Sequence, residues 1–163
     1  MSGPARVLVA GVGNVFFGDD GFGPEVARAL LREPPAETKI EDFGIRGLHL
    51  AYELLTGYER AILIDAAARG DVPGTLYVIE PEVSGDADPG LSPHALTPDH
   101  VLRRLAPGTR PRAVRVVGCE PQTLGDDDAP AELSAPVRAA VDEAVRLVEA
   151  LVAALLAEGT PDA

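Results

Sequence analysis

Short, wholly apolar runs alternate along this chain with stretches whose apolar positions recur at helical spacing. Residues 6–11 enclose Val7-Leu8-Val9-Ala10 without a polar interruption, the pattern of a buried strand. Residues 24–31 predict the helix that follows, with Pro24 in the first turn, where its missing N–H is not needed. Glu33-Pro34-Pro35 ends that helix, because proline cannot continue it. Residues 39–43 predict a second strand and residues 47–55 a second helix, closed by Gly57. Ala61-Ile62-Leu63-Ile64 is apolar on both alternating sides and stops at Asp65, as in a central strand with both faces covered. Residues 74–79 predict a strand reached through a short turn instead of a helix, which suits antiparallel pairing at an edge.

The loop over residues 80–93 is rich in Pro, Gly, Ser and Asp. Thr97-Pro98-Asp99 then reads as a cap, a first-turn proline and an early acid, opening a helix to about Leu105. Residues 113–117 predict the last strand, and residues 118–133 a polar loop. Ser134 and Pro136 open the longest helix, in which Val137, Val141, Ala144, Val145, Val148, Leu151, Val152 and Leu155 make one apolar stripe. Residues 159–163 are expected to fray. Neither a repeat nor a linker-like stretch divides the chain, so one domain over residues 1–163 is expected. The alternation predicts an α/β three-layer sandwich. Its centre is a twisted, mostly parallel sheet of about five strands, with helices on both faces.

Composition narrows this picture without redirecting it. A chain of 163 residues, 46% hydrophobic and 25% charged, suits a globular domain with a substantial core. No apolar run approaches the roughly 18 residues of a membrane span, and no secretory signal is expected from the N-terminal residues 1–6. One cysteine, Cys119, excludes an internal disulfide and fits a reducing cytoplasm. With 26 acids against 14 bases the net charge is −12, which argues against attraction to nucleic acid or an anionic membrane.

The chemistry concentrates in the crossover after the first strand. Gly11-Val12-Gly13-Asn14 leads there to Gly18-Asp19-Asp20-Gly21-Phe22-Gly23. Glycines let another group approach the backbone closely. A dinucleotide fingerprint fails here, since its third glycine falls on Phe16 and paired acids repel phosphate. In parallel sheets, ligands gather beyond the carboxyl ends of the strands. Asp20 lies beyond the first strand, Asp65 ends the central one, and His94 sits in a later loop. Singly, each suits a blander role: a solvated loop acid, an acid satisfying strand-end amides, a loop histidine. Together, two carboxylates and an imidazole suit a borderline divalent metal such as zinc or nickel, with positions left open. His49 and His100 fall in helix-like segments and read as surface or packing residues. Cys119 has two readings, a nucleophile paired with His94 or His100 and a small buried hydrophobe.

In their order along the chain these motifs resemble the hydrogenase maturation proteases, the endopeptidases that finish the large subunit of nickel–iron hydrogenases. The resemblance starts with Gly11-Val12-Gly13-Asn14 and Asp19-Asp20-Gly21-Phe22-Gly23, then the strand ending at Asp65 and Ser92-Pro93-His94. It closes with Val117-Gly118-Cys119-Glu120-Pro121 and Leu133-Ser134. It implies a twisted five-stranded sheet flanked by helices, and metal-contacting residues at Asp20, Asp65 and His94. The metal implied is nickel carried by the substrate, with no permanently bound cofactor. A zinc-protease His-Glu-x-x-His motif is absent from the sequence, in keeping with a metal that arrives with the substrate.

The expected partner is a nickel–iron hydrogenase large-subunit precursor, whose C-terminal extension is removed in the cytoplasm. Asn14, Asp19, Asp42 and Arg46 are expected to support the substrate cleft, Asp19 by holding the loop or a helix start. The chain departs from the family in two places. Asp20 stands where some members have Glu. Asp42-Phe43-Gly44-Ile45-Arg46-Gly47 stands where the family often has Asp-Gly-Gly-Thr. No nucleophile or general base is identified. The alternatives are a non-catalytic metal-sensing or chaperone module that binds the same precursor, and a nucleotide-binding α/β domain.

Overall fold

Val7–Val12 forms the first strand, β1, with all of its residues buried. Its side chains alternate between two cores. Val7 and Val9 face one, Leu8, Ala10 and Val12 the other. A computed structural model describes this architecture over residues 6–14, 18–44, 47–54, 56–80, 111–122 and 132–158. The remaining elements are α1 (Phe22–Leu31), β2 (Thr38–Gly44), α2 (Gly47–Leu54), β3 (Arg60–Ala66), β4 (Leu76–Ile79), β5 (Ala113–Cys119) and α3 (Ala135–Ala157).

The five strands lie in the order β2-β1-β3-β5-β4. β1 pairs parallel with β2 and β3, and β3 pairs parallel with β5. β4 runs antiparallel to β5 at the edge, as the short turn before it predicted. On one face Phe22, Val26 and Leu30 of α1 and Val137, Ala144, Val148, Val152 and Leu155 of α3 pack against β1, β3 and β5. Leu50 and Leu54 of α2 cover the opposite face with Phe43. Three layers result. Each fully buried Val or Leu contributes about 1.5–3 kcal/mol of transfer free energy, so the apolar stripe of α3 is the main reason that helix stays docked. Arg60, nearly buried, donates from Nε to the Leu155 carbonyl (2.9 Å) and ties down the last turn of α3. Among the described residues no helix is long and apolar enough to cross a membrane.

Several boundaries differ from the sequence expectation, and pairing explains them. β3 runs through Asp65 to Ala66 and β5 to Cys119, because Asp65 faces Gly118 and Ala66 faces Cys119 across the ladder. β4 begins at Leu76, since Gly74 (φ 92°) and Thr75 are used in the turn closed by Thr75 N–H on the Val72 carbonyl. α1 starts at Phe22, placing Pro24 inside its first turn. The helix expected over residues 97–105, and the tail over residues 159–163, lie outside the described residues.

One close approach positions the site. A Cβ on Gly23 would overlap the backbone of Val12 and the Ile64 carbonyl oxygen, and one on Gly11 would meet Gly23 itself. The start of α1 therefore rests directly on the carboxyl ends of β1 and β3, which only glycine permits.

Candidate active site

Beyond Val12 the chain turns at Gly13 (φ 140°), whose amide donates to the Gly44 carbonyl at the end of β2 (2.9 Å). A side chain at Gly13 would collide with the Asp20 carbonyl, so the crossover folds back tightly on the strand it leaves. The 3-10 turn Gly18–Gly21 carries Asp19 and Asp20. Asp20 accepts the Asn14 backbone N–H on Oδ2 (2.9 Å). Asp65, near the end of the adjacent β3, accepts the Ala66 N–H on Oδ1 (2.8 Å). The Asn14 main chain thus holds Asp20 in place.

Burial raises the pKa of both carboxyls. For Asp65 the shift is large, with burial as its main cause and the neighbouring Asp20 charge adding to it. For Asp20 burial dominates, and the Asn14 N–H partly opposes it. Two like charges are thus held together, each with a single backbone donor among the described residues. Such a pair is relieved by a shared proton or by a divalent cation bound by carboxylate oxygens. Oxygen donors alone suit many divalent metals, and an added imidazole shifts the preference toward nickel or zinc. His94, the expected third donor, lies outside the described residues, as does Arg46. Among the described residues no group of three or more His, Cys, Asp or Glu side chains is placed to hold a metal ion.

Asp19, next to Asp20 in the chain, is completely buried. Its Oδ2 accepts the Gln122 N–H (2.7 Å) and the Ser134 hydroxyl (2.8 Å), and its Oδ1 accepts the Ser134 N–H (2.7 Å). These bonds tie Asp19 to the start of α3, more than a hundred residues further along the chain.

Residues 24–151 match the family model described as hydrogenase maturation protease. The chain belongs to that family. It is 34% identical to the hydrogenase expression/formation protein HupD of Rhizobium leguminosarum bv. viciae, over 88% of this chain and 74% of that protein. It is 30% identical to the coenzyme F420 hydrogenase subunit delta of Methanothermobacter thermautotrophicus, over 88% of this chain and 92% of that protein. Among solved structures, the hydrogenase maturating endopeptidase HybD of E. coli superposes with a TM-score of 0.76 at 26% identity, covering 93% of this chain and 94% of that one. The hydrogenase 2 maturation peptidase of a Thaumarchaeota archaeon gives 0.70 at 34% identity, over 91% and 98%. The protein is therefore a peptidase of the hydrogenase maturation protease family, and the non-catalytic alternative gives way.

The structure shows what the maturation protease does with its departure from Asp-Gly-Gly-Thr. The β1–β2 register slips there, with Gly11 opposite Asp42 and Val12 opposite Gly44. Phe43, only 2% exposed, fills the core beside α2. Asp42 closes the irregularity with Oδ1 on the Gly44 N–H (2.8 Å), while Oδ2 lies 3.7 Å from the Arg28 guanidinium. Its carboxylate braces the end of β2 next to the crossover.

Cys119 belongs to the core. Its thiol is fully buried, and burial first, then the Asp19 and Glu120 charges, push its pKa to about 12. A thiol at that value holds its proton at neutral pH and is no nucleophile. His49 is exposed on α2.

Sequence reasoning passed over Glu120, which is 5% exposed. Its Oε1 accepts the Tyr77 hydroxyl (2.6 Å) and the N–H groups of Arg69 (2.8 Å) and Asp71 (3.2 Å), gathering the loop that leaves β3. Those donors, Tyr77 foremost, hold its pKa below the usual range. The signal was available: an acid directly after an apolar strand, the pattern that singled out Asp65.

Proposed function

We propose that this maturation protease removes the C-terminal extension from the nickel-loaded large-subunit precursor of a nickel–iron hydrogenase, in the cytoplasm. The carrying observation is the desolvated pair Asp20 and Asp65, which repel each other at the carboxyl edge of the sheet. That pair is a poor host for a neutral peptide and a good one for a divalent cation presented by a protein. Asp20, Asp65 and His94 would grip the precursor's nickel, so that binding reports whether the metal is in place. Nickel arrives with the substrate, and its charge there can polarise the scissile carbonyl or activate water. Gly11, Gly13 and Gly23 let the crossover pack against the chain's own backbone, which holds the loop bearing Asp20 tightly over the strand ends. The names of the relatives, hydrogenase maturation and formation proteins, agree with this substrate class.

The deciding assay incubates the purified protein with nickel-loaded and nickel-free precursor and follows the mass of the large subunit. Mass loss is expected only for the loaded form. Equal cleavage of both, or of neither, overturns the proposal.

A further inference from the structure

Asp20 is poorly anchored for a residue in its position. Among the described residues it accepts one hydrogen bond, from the Asn14 N–H, and the neighbouring Asp65 carboxylate repels it. Something must hold the turn Gly18–Gly21 against that repulsion. The neighbouring Asp19 is fully buried and reaches Gln122 and Ser134, which are 103 and 115 residues further along the chain. These two residues stand on either side of the connection between β5 and α3. One carboxylate therefore fastens the crossover to the end of the far strand and to the start of the longest helix.

Ser134 confirms where this load is carried. It occupies the N-cap of α3, yet its hydroxyl makes no cap on its own helix and donates to Asp19. The buried carboxylate also sits at a helix N-terminus, where negative charge is favoured. Hydrogen bonds to a charged acceptor are roughly twice as strong as neutral ones, so the Asp19 anchor is stiffer than an amide would be.

We infer that Asp19 is a positioning residue, holding Asp20 against Asp65 through its bonds to Gln122 and Ser134. It touches no substrate. The structural part of this inference stands without the proposed substrate. Its effect on cleavage rests on that reading.

The test uses Ser134→Ala, which removes one donor from Asp19 and leaves Asp20 and its own Asn14 bond untouched. Asp19→Asn is a second, stronger variant. Amide hydrogen exchange is read at Asn14, whose N–H Asp20 holds, and at Leu63 in β3 as a reference for global opening. Ser134→Ala is expected to speed exchange at Asn14 about tenfold, the size of one lost hydrogen bond to a charged group, with Leu63 little changed. Ser134→Thr, which keeps the hydroxyl, is expected to restore protection at Asn14. With nickel-loaded precursor, Ser134→Ala is expected to slow cleavage while its melting temperature stays near that of the parent. Exchange at Asn14 that is unchanged in both variants, or that rises only in step with Leu63, overturns the inference and makes Asp19 a staple of the fold. The exchange measurement needs no precursor, so it separates this failure from failure of the proposed substrate.

Discussion

Among the described acids near the carboxyl edge of the sheet, four divide into two pairs. Asp19 and Glu120 each collect at least three donors among the described residues and join segments distant in sequence. Asp20 and Asp65 each collect a single backbone N–H among the described residues, and their pKa values rise. Burial runs opposite to what a penalty alone would predict, since Asp19 and Glu120 are buried and Asp20 and Asp65 only half-buried. What sets the second pair apart is the shortage of donors. A buried charge surrounded by donors is part of the scaffold, whereas a pair left short of donors is what the proposed grip on a substrate-borne cation calls for.

The comparison breaks first, and most severely, at Asp65. Asp65→Asn and Asp20→Asn are expected to lower precursor cleavage by about a hundredfold or more, and yet not to destabilise the fold. Asp65 has a folded pKa well above its unfolded value near 3.9, so its native state prefers the proton. That preference is fully felt below the unfolded pKa and is lost as pH rises through the folded one. The protein should therefore gain stability as pH falls from neutral, and Asp65→Asn should raise the neutral-pH melting temperature and flatten that dependence. A lower melting temperature for Asp65→Asn would place it with the scaffold acids.

Asp19→Ala tests the other pair. It strands two N–H groups and a hydroxyl, and an expected loss of about 2–4 kcal/mol follows from the cost of unsatisfied buried donors. Urea unfolding measures it, and a loss under about 1 kcal/mol would mean that water takes over the donors.

Glu120→Gln is the mildest of the three. The folded pKa of Glu120 is lowered, so its contribution is present above the unfolded pKa and disappears as pH falls through the folded one. The variant should be less stable at neutral pH and should lose that part of the acid limb. Thermal melts between about pH 3 and 7 show it, and an unchanged acid limb would remove Glu120 from the scaffold pair.

Much of this arrangement was legible in the order of residues. Apolar runs such as Ala61-Ile62-Leu63-Ile64 announce a strand covered on both faces, and the short turn before Leu76 announced an antiparallel edge. The rule that sites lie beyond strand ends selected Asp20 and Asp65, and the structure brings the two together. Strand ends were harder. β5 continues to Cys119 only because β3 and β4 both offer it partners. Phe43 filling the core at a slip in register, and Glu120 gathering donors from a loop and from β4, depend on neighbours that local pattern does not encode.

The sequence by itself determined the alternation of strands and helices, the glycine crossover and the kinds of side chain at the sheet edge. These follow from periodicity and backbone freedom, which are local properties of the chain. Tertiary structure alone decided which acid did which work. Asp19 and Asp20 are adjacent and chemically identical, yet one meets donors more than a hundred residues away and the other meets a second carboxylate. The protonation and purpose of a carboxyl group depend on the charges and donors around it, and only folding brings those together.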